Sequence, residues 1–273
     1  MLENRNKLKD ITALVTGGSR GVGRGVALGL GEYGATIYIT GRNVEQLNET
    51  AVLVEELGGV CIPLQCDHND DIATKAVFDQ IQQQGKTLSI LVNCAWGGYE
   101  NMVEDGNFTW TNKFWEQPLW RWDQIFTVGV RTIFITSKYA MPLMDYQARG
   151  LIVNISYWAA QKYLGNVIYG ASKAAADKLT FDMAQELCNT NFSVVSLYPG
   201  LVRTEEVLKN AEYFDFSNSE SPQFIGRVIA HLYFDTHLKE KSGKIYIAAA
   251  LADEYGIRDI DGRKPRPLSI EEV

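Results

Sequence analysis

Cysteine and histidine are scarce in this sequence, which has four cysteines and three histidines among 273 residues. No two cysteines form a Cys-x-x-Cys pair, and His68, His231 and His237 lie apart from any cluster of other metal ligands. Zinc sites need three or four such ligands together, and a catalytic triad needs a histidine beside its nucleophile. We therefore expect no metal site and no histidine-based hydrolase. The cysteines are typical of free thiols in a reducing cytoplasm.

The sequence also has no surplus of positive charge and no long apolar run. Its 26 lysines and arginines stand against 33 aspartates and glutamates, which gives a formal net charge of −7. Nucleic acids and anionic membrane surfaces attract proteins through clustered basic residues, so we expect neither as a partner. Residues 1–10 are polar, and no stretch reaches the roughly 20 apolar residues of a membrane-spanning helix. The composition predicts a cytoplasmic protein without a secretory signal or a membrane span.

What the sequence does contain is a regular alternation of short apolar runs with longer segments of helical period. The runs are nearly continuous, as is typical of strands buried on both faces. The predicted strands are Ile11–Val15, Ala35–Thr40, Val60–Leu64, Leu88–Asn93, Gly150–Ile155, Phe192–Tyr198 and Lys244–Ala248. The predicted helices are Val22–Tyr33, Val44–Leu57, Asp71–Gln84, Trp120–Tyr146, Val167–Cys188 and Ser221–Phe234. This alternation predicts an α/β fold, a single Rossmann-type domain with a doubly wound parallel sheet of about seven strands and helices on both faces.

Three segments interrupt this pattern within the single domain of residues 1–273, whose core spans residues 11–248. Residues 96–119 form a long insertion rich in aromatic residues, and residues 203–221 are polar with scattered aromatics. Loops of this length are usually functional, so we interpret residues 203–221 as a lid over the substrate. Residues 253–273 form a charged C-terminal tail.

A glycine-rich turn follows the first predicted strand and leads directly into a helix. Phosphates can approach a backbone closely only where side chains are absent, and the N–H groups that begin a helix then face the anion. Gly17 allows the sharp turn, Gly21 the approach of a pyrophosphate and Gly23 the packing of helix on strand. This position between strand and helix predicts a dinucleotide site. Its cofactor-binding residues are predicted to be Gly17, Ser19, Arg20, Gly21, Val22 and Gly23.

The residues after the second predicted strand favour NADP(H) over NAD(H). A free ribose 2′-hydroxyl is usually held by an acidic residue about twenty positions beyond the glycines, and no acid stands there. Arg42 follows that strand instead, and Arg20 lies within the glycine turn. Two guanidinium groups suit a 2′-phosphate, which they can bind in a bidentate manner.

A serine, a tyrosine and a lysine supply the predicted chemistry. Tyr169 and Lys173 are four residues apart on one helix face, and Ser156 follows the strand Gly150–Ile155. In a parallel sheet, ligands bind beyond the carboxyl ends of the strands, where the glycine turn also opens. We expect Lys173 to lower the pKa of Tyr169 toward neutrality, so that Tyr169 exchanges a proton with a substrate oxygen held by Ser156.

With these residues in this order, the chain resembles the short-chain dehydrogenase/reductase family over residues 11–248. The resemblance is carried by TGGSRGVG at Thr16–Gly23, Asp67, NCAW at Asn93–Trp96, Ser156, YGASK at Tyr169–Lys173 and PGLVRT at Pro199–Thr204. It implies an NAD(P)-dependent oxidoreductase of class EC 1.1.1, with Asp67 and Asn93 near the adenosine half of the cofactor. It also implies cofactor contacts by Pro199, Gly200, Val202, Thr204, Tyr169 and Lys173, with Thr204 near the carboxamide and Lys173 on the nicotinamide ribose.

A closer resemblance to one subgroup rests on the stretches YITGRN, NKFWEQP, VGVRT and EYGIRDIDGR. That subgroup implies reduction of carbonyl groups on steroids and xenobiotic ketones. The family resemblance also implies a homodimer or homotetramer, with the helices Trp120–Tyr146 and Val167–Cys188 at the interface. An apolar substrate is consistent with the aromatic residues that lie on loops at the carboxyl end of the predicted sheet. The predicted pocket residues are Trp96, Tyr157, Trp158, Tyr163 and Tyr198.

The chain departs from the family pattern at two positions. Trp96 stands where the family usually has a small residue beside the cofactor, so the pocket must differ there. Gly129 stands where the family usually has an asparagine that helps a proton relay through water to the lysine. A glycine has no side chain to hold a water, although its carbonyl can accept a hydrogen bond. We therefore expect the Ser-Tyr-Lys core without the usual fourth residue.

Two functional hypotheses follow from the sequence. The first is an NADP-dependent carbonyl reductase or alcohol dehydrogenase with Tyr169 as its general acid and base. The second is a dinucleotide-binding scaffold or redox sensor with little catalysis, which Trp96 and Gly129 motivate. The two hypotheses predict opposite effects of Tyr169→Phe, because only an enzyme depends on that hydroxyl.

Overall fold

Seven parallel strands form the central sheet of the computed structural model, which describes residues 7–99 and 102–273. In chain order the strands are β1 (Thr12–Thr16), β2 (Thr36–Gly41), β3 (Val60–Gln65), β4 (Ile90–Asn93), β5 (Gly150–Ile155), β6 (Phe192–Tyr198) and β7 (Ile245–Ile247). Their spatial order is β7-β6-β5-β4-β1-β2-β3. The order reverses at β1, so the carboxyl ends of β1 and β4 flank a crevice where ligands bind in this class of sheet.

Helices cover both faces of the sheet, as the alternation predicts. Their bounds are α1 (Gly21–Gly31), α2 (Val44–Glu56), α3 (Asp71–Gln83), α4 (Leu119–Gln124), α5 (Thr132–Ala140), α6 (Val167–Glu186), α7 (Glu205–Lys209), α8 (Pro222–Phe234), α9 (Leu238–Lys241) and α10 (Ala248–Tyr255). Buried residues of α1, α2 and α8 pack on one face, and buried residues of α3, α5 and α6 pack on the other. The predicted doubly wound fold in a single domain is confirmed.

The strands are buried on both sides, which explains their continuous apolar sequences. In β1, Ala13 and Val15 contact the core beneath α1 and α8, whereas Leu14 contacts the opposite core beneath α3 and α5. All three are fully buried. Apolar residues are therefore required at every position and not only at alternate ones.

The long helix predicted over Trp120–Tyr146 is wrong as a single α-helix. The chain forms α4, then a π-helical segment at Ile125–Arg131, then α5 and a 3₁₀ turn at Met141–Leu143. Gly129 lies within the π-helical segment, where the indole of Trp96 packs against its backbone. Periodicity alone does not distinguish these helix types, because the π segment depends on contacts with a distant part of the chain.

The three irregular segments are all ordered by specific contacts. In the insertion, Val103–Glu104 and Asn107–Phe108 form a short antiparallel hairpin. The fully buried Arg121 fixes the loop after it, donating to the carbonyl and hydroxyl oxygens of Thr109 at 3.1 and 2.8 Å. Because a buried guanidinium needs several acceptors, this loop conformation is strongly specified.

The predicted lid and the predicted tail contact each other. The lid contains α7, and its strand Ser219–Glu220 pairs with Leu201–Val202. The tail begins inside α10, so the predicted boundary at residue 253 falls within a helix. Beyond α10, the buried carboxylate of Asp259 accepts hydrogen bonds from the backbone N–H of Ser221 at 2.7 Å and from Arg203 at 3.0 Å. The tail therefore stabilises both ends of the lid, at Arg203 and at Ser221.

The described residues form neither a membrane-spanning helix nor a metal-binding cluster. None of the helices there is both long enough and apolar enough to cross a bilayer. Likewise, residues 7–99 and 102–273 contain no group of three or more histidine, cysteine or acidic side chains arranged to hold a metal ion.

Candidate active site

The glycine turn after β1 forms a cradle that side chains would fill. Gly17 has a φ of +69°, in the left-handed region that favours glycine. A Cβ on Gly23 would lie 2.2 Å from the Gly17 carbonyl oxygen, and one on Gly18 would lie 2.7 Å from Cβ of Ile39. The turn therefore requires glycine at these positions.

An anionic group already occupies the beginning of α1. The backbone N–H of Gly21 donates to Oε2 of Glu205 at 2.9 Å, and Arg24 lies 3.5 Å from Oε1 of the same carboxylate. Thr204, which begins α7, lies beside Gly21, since a Cβ there would be 3.7 Å from the Thr204 methyl carbon. The helix N-terminus thus binds a carboxylate supplied by the lid, which fits a site that accepts a phosphate.

The end of β2 packs against the glycine turn. The Gly18 N–H donates to the Thr40 carbonyl oxygen at 2.8 Å, and a Cβ on Gly41 would lie 3.0 Å from the hydroxyl oxygen of Ser19. Arg42 follows directly and is exposed, as is Arg20 at the start of α1. The backbone there accepts a hydrogen bond from Gln65 at 3.0 Å. Arg20 and Arg42 thus lie at the edge of the glycine turn where β2 ends.

Tyr169 lies in the first turn of α6 within a ring of aromatic side chains. The buried Asn166 caps this helix by accepting the Tyr169 N–H at 2.9 Å and donates to the Trp110 carbonyl oxygen at 2.7 Å. This bridge holds the insertion against the start of α6. The aromatic rings around Tyr169, with their centroid separations, are Trp96 (5.6 Å), Trp110 (5.6 Å), Tyr99 (6.2 Å) and Tyr157 (6.5 Å).

Lys173 lies one turn further along α6, on the same face. Its Nζ is 4.2 Å from the Trp96 ring centre, 5.7 Å from the Tyr169 ring centre and 3.3 Å from the carbonyl oxygen of Ile155. Burial of the ammonium lowers the pKa of Lys173 to about 8. A nearby Asp177 opposes this shift. The lysine is therefore held close to the tyrosine in a site with little water.

Ser156 follows β5 and is almost fully buried. Its backbone N–H donates to the Leu197 carbonyl oxygen at 3.0 Å, and its hydroxyl donates to the Lys173 carbonyl oxygen at 3.3 Å. The sheet thus brings Ser156 and Lys173 together although 17 residues separate them. In this state the hydroxyl contacts the backbone of α6, from which a rotation about its Cα–Cβ bond would release it.

The expected lowering of the Tyr169 pKa is not found in the protein alone. Burial, with Tyr99 and Tyr157 nearby, raises the pKa of Tyr169 well above its ordinary value. The Tyr99 hydroxyl donates to the Tyr169 hydroxyl oxygen at 3.3 Å. Desolvation of a phenolate exceeds the attraction of one lysine at this distance, so an additional positive charge is needed to bring Tyr169 toward neutrality.

The side chain of Asn93 forms hydrogen bonds within the protein. Its side chain donates to Asn154 at 2.8 Å and accepts from Thr136 at 2.7 Å, and it is buried. Asn154 in turn donates to Thr180 on α6 at 2.8 Å. These bonds connect β4, β5 and the helices behind them. Both polar atoms of the Asn93 side-chain amide are therefore engaged in hydrogen bonds with Asn154 and Thr136. A contact between Asn93 and adenosine would have to use the backbone of Asn93.

The five aromatic residues predicted to line the pocket separate into three groups. Trp96 and Tyr157 belong to the ring around Tyr169. Trp158 and Tyr198 are buried against each other with centroids 5.4 Å apart, and the Tyr198 hydroxyl donates to Asp177. Tyr163 is exposed. Trp158, in the turn after β5, and Tyr198, the last residue of β6, thus pack in the protein interior next to the site.

The remaining predicted cofactor residues lie in three places, which are the segment leading into the lid, the end of β3 and the first turn of α1. Pro199 is buried and Gly200 is half-buried, and the Gly200 N–H donates to the carboxyl group of Glu220 at 3.0 Å. Val202 pairs with Glu220 in the short parallel strand pair, while Asp67 is exposed and accepts two hydrogen bonds from Asn69. Val22 is half-buried in the first turn of α1.

Four site residues were missed by sequence reasoning. Tyr99 and Trp110 belong to the aromatic insertion, whose composition signals a packed loop without showing which rings reach Tyr169. Glu205 and Glu220 come from the lid, and nothing in their local sequence distinguishes them from ordinary surface acids. Only the tertiary contacts identify these four residues.

With this geometry established, comparison with known proteins identifies the family. The family model described as short chain dehydrogenase matches residues 11–212. The chain belongs to the short-chain dehydrogenase family. Mouse Dehydrogenase/reductase SDR family member 1 is 40% identical over 270 residues, which cover 94% of this chain and 85% of the mouse protein.

Solved structures of short-chain dehydrogenases have the same fold. A putative short-chain alcohol dehydrogenase from Sinorhizobium meliloti 1021 has a TM-score of 0.72 and 28% identity, covering 88% of this chain and 95% of its own. A 3-oxoacyl-[acyl-carrier protein] reductase from Brucella melitensis with bound NAD has a TM-score of 0.75 and 26% identity, covering 90% and 92%. Short-chain dehydrogenases are oxidoreductases that bind nicotinamide dinucleotides and act on small molecules.

Proposed function

We propose that this short-chain dehydrogenase is an NADP(H)-dependent carbonyl reductase or alcohol dehydrogenase for apolar substrates. The observation that carries the proposal is the Tyr169–Lys173 pair on α6, enclosed by aromatic rings at the carboxyl end of the sheet. A tyrosine and a lysine in this arrangement supply a proton donor and a fixed positive charge.

The glycine turn fits the phosphates of a dinucleotide. Its backbone leaves no room for side chains at Gly18 and Gly23, and the start of α1 already binds the carboxylate of Glu205. The Brucella melitensis relative binds NAD with the same fold. We propose NADP(H) as the preferred cofactor here because exposed Arg20 and Arg42 border the turn and no acid follows β2. A 2′-phosphate would be favoured by both arginines.

The side chains then divide the chemistry between them. In the reductive direction the Tyr169 hydroxyl transfers its proton to the substrate carbonyl oxygen, and the Ser156 hydroxyl holds that oxygen by a hydrogen bond. The Lys173 ammonium stabilises the phenolate that remains on Tyr169. A nicotinamide, if bound at this site, would supply a hydride to the carbonyl carbon. Oxidation of an alcohol reverses these steps, with the Tyr169 phenolate as the base.

The substrate class follows from the walls of the site. Trp96, Tyr99, Trp110 and Tyr157 present ring surfaces around the Tyr169 hydroxyl. Such walls favour a flat or bulky apolar ketone, such as a steroid or xenobiotic ketone, over a sugar or a carboxylic acid. We place the protein in the cytoplasm, where its four free cysteines would remain reduced.

We also propose that the protein forms a homodimer or homotetramer. Large apolar side chains on α4, α5 and α6 are substantially exposed, and the exposed Trp122 stacks on the half-buried Phe126 at 4.1 Å. The exposed residues are Trp122, Phe134, Val167 and Phe181. An apolar face of this kind is typical of a surface buried between subunits. Analytical ultracentrifugation would give the subunit number directly.

The catalytic assignment is tested by NADPH oxidation with a panel of aromatic and steroid ketones. We expect Tyr169→Phe to lower kcat by about 100-fold or more, because the proton donor is lost. NADPH binding should persist in the variant. Tyr146→Phe is the matched control, since that tyrosine is exposed and has no assigned role in the site, and it should leave the rate unchanged. Full turnover by Tyr169→Phe, or NADPH binding without turnover on any ketone, would favour a dinucleotide-binding scaffold instead.

The cofactor preference has its own test. Arg42→Asp should move the ratio of kcat/KM for NADPH over NADH toward NADH by about tenfold or more, because an acid would repel the 2′-phosphate and accept the 2′-hydroxyl. Arg266→Asp makes the same charge change in the tail, where the arginine pairs with Glu272, and serves as the control. An unchanged ratio in Arg42→Asp would exclude Arg42 from the cofactor site.

A further inference from the structure

The two departures from the family pattern meet in space. A Cβ on Gly129 would lie 2.6 and 2.7 Å from Cζ3 and Cε3 of the Trp96 indole. A Cβ on Gly98 would lie 2.4 Å from Cζ2 on the other side of the same ring. Real Cβ atoms do not approach other atoms so closely, so the indole fits here only because Gly98 and Gly129 lack side chains. Trp96 and Gly129 are therefore matched in size, because the indole occupies the space that a side chain at position 129 would need.

The indole fills the space beside the Lys173 ammonium. The Trp96 ring centre is 4.2 Å from Lys173 Nζ, within the range of a cation–π contact. The same indole meets the Tyr169 ring edge-on with centroids 5.6 Å apart and an interplanar angle of 72°. Trp96 therefore contacts both members of the Tyr169–Lys173 pair and stands where water would otherwise solvate the lysine.

The buried indole nitrogen of Trp96 forms no hydrogen bond that would explain where the ring lies. Nε1 of Trp96 is buried and has no hydrogen-bond partner among the described residues. An unpaired buried donor is costly, so the indole is not placed there by its own polar group. Its aromatic face on Lys173 and its fit against Gly129 are the contacts that account for its position.

We propose that Trp96 is a positioning residue, which together with Gly129 excludes water from Lys173 and holds its ammonium against Tyr169. The proposal rests on the function proposed above, in which Lys173 acts through its charge. The titratable groups near Lys173 are the Asp177 carboxyl group on α6, the Cys94 thiol after β4 and the Tyr169 hydroxyl on the same helix face. Substitution of Trp96 leaves these three in place, so a change in Lys173 would come from the indole.

The first test is a titration of Lys173 by NMR of ¹³Cε-labelled lysine in the full-length protein without cofactor, with Lys173→Met to assign the signal. We expect Trp96→Leu to raise the pH of the Lys173 titration by about one unit or more, since hydration of the ammonium by entering water stabilises the charged form by more than the lost cation–π contact did. Trp96→Phe keeps an aromatic face and should shift it much less. An unchanged titration in Trp96→Leu, or equal shifts in both variants, would overturn the proposal.

The second test is Gly129→Ala, whose methyl group would push the indole away from its position. In the wild-type background, Gly129→Ala should raise the pH at which Lys173 titrates. In the Trp96→Leu background, where the ring is absent, it should have little added effect on that pH. Equal effects in both backgrounds would contradict the proposed joint action of Trp96 and Gly129. Should Gly129→Ala prevent folding, the comparison of Trp96→Leu with Trp96→Phe decides alone.

The catalytic consequence is read from the pH profile of kcat for ketone reduction. The alkaline limb should move to higher pH in Trp96→Leu, in the same direction as the NMR titration, whereas an unchanged limb would overturn the link to the reaction. The NMR measurement needs no substrate. Absence of turnover in the wild-type protein would therefore count against the proposed function alone, and an unshifted titration would count against the role of Trp96 alone.

Discussion

Removal of the Glu205 charge should strengthen cofactor binding. In the cofactor-free structure this carboxylate accepts the Gly21 N–H at 2.9 Å, at the point on α1 where a dinucleotide phosphate would bind. The phosphate must displace the carboxylate and then tolerate a negative charge nearby. Glu205→Gln removes the charge and keeps the size of the side chain. The free-energy cost of displacing the side chain and its repulsion of the bound phosphate should therefore both decrease.

The size of the effect follows from the exposure of the groups. The Glu205 side chain is 47% exposed and the Arg24 side chain 20% exposed, so solvent screens much of the interaction. A carboxylate at an exposed helix N-terminus contributes about 0.3–1 kcal/mol. We add a similar repulsion toward the bound phosphate and expect about 1 kcal/mol in total, which corresponds to roughly fivefold lower Kd.

Isothermal titration calorimetry with NADPH at fixed ionic strength measures this difference. The matched control is Glu206→Gln, which changes the net charge equally but lies beside Lys209 at 3.2 Å and makes no described contact with α1. We expect less than a twofold change for the control, because exposed charges are screened beyond about 8 Å. Equal Kd values in the two variants, or weaker binding in Glu205→Gln, would refute the reasoning.

Two further predictions concern stability. Glu220 is 1% exposed, and burial raises its pKa to about 8. The protonated carboxyl group therefore contributes its full stabilisation below the pKa of Glu220 in the unfolded chain. This contribution is lost as the pH rises through about 8. Urea unfolding between pH 5 and 9 should therefore show a decline of up to about 1 kcal/mol per pH unit that is absent in Glu220→Gln, and identical profiles would exclude a protonated Glu220. Asn166→Ala should cost about 1–2 kcal/mol, because it removes the cap of α6 and one of the two hydrogen bonds to the Trp110 carbonyl oxygen, which Gln117 also donates to at 3.1 Å. Asn166→Asp keeps the cap and should recover about 1 kcal/mol of that loss in thermal unfolding, so equal losses would refute the capping role.

The sequence predicted the framework of the fold because its signals are local. Strands buried on both faces require continuous apolar residues, so β5 and β6 have the predicted bounds and the others differ by one or two residues. Helices such as α2 begin after residues that cap them, as Asn43 caps α2 by accepting the Gln46 N–H. Glycine spacing similarly marked the turn before α1, since the backbone conformation there excludes side chains.

The boundaries that failed depend on distant contacts. The π-helical segment at Ile125–Arg131 forms around Gly129, where a ring from a loop 33 positions earlier in the sequence packs. The tail was predicted to begin at residue 253, inside α10, although its buried Asp259 belongs with the lid. Neither feature has a period or a composition that a local pattern could reveal.

The sequence by itself determined the fold class, the position of the glycine turn and the pairing of Tyr169 with Lys173 on one helix face. Each of these follows from residues that are neighbours along the chain. Only the tertiary structure decided the surroundings of those residues. It placed Trp96 on Lys173, Tyr99 on Tyr169 and Glu205 on α1, and it committed Asn93 to the strand ends. Burial and charge at a site depend on groups far apart in sequence, which meet only when the chain folds.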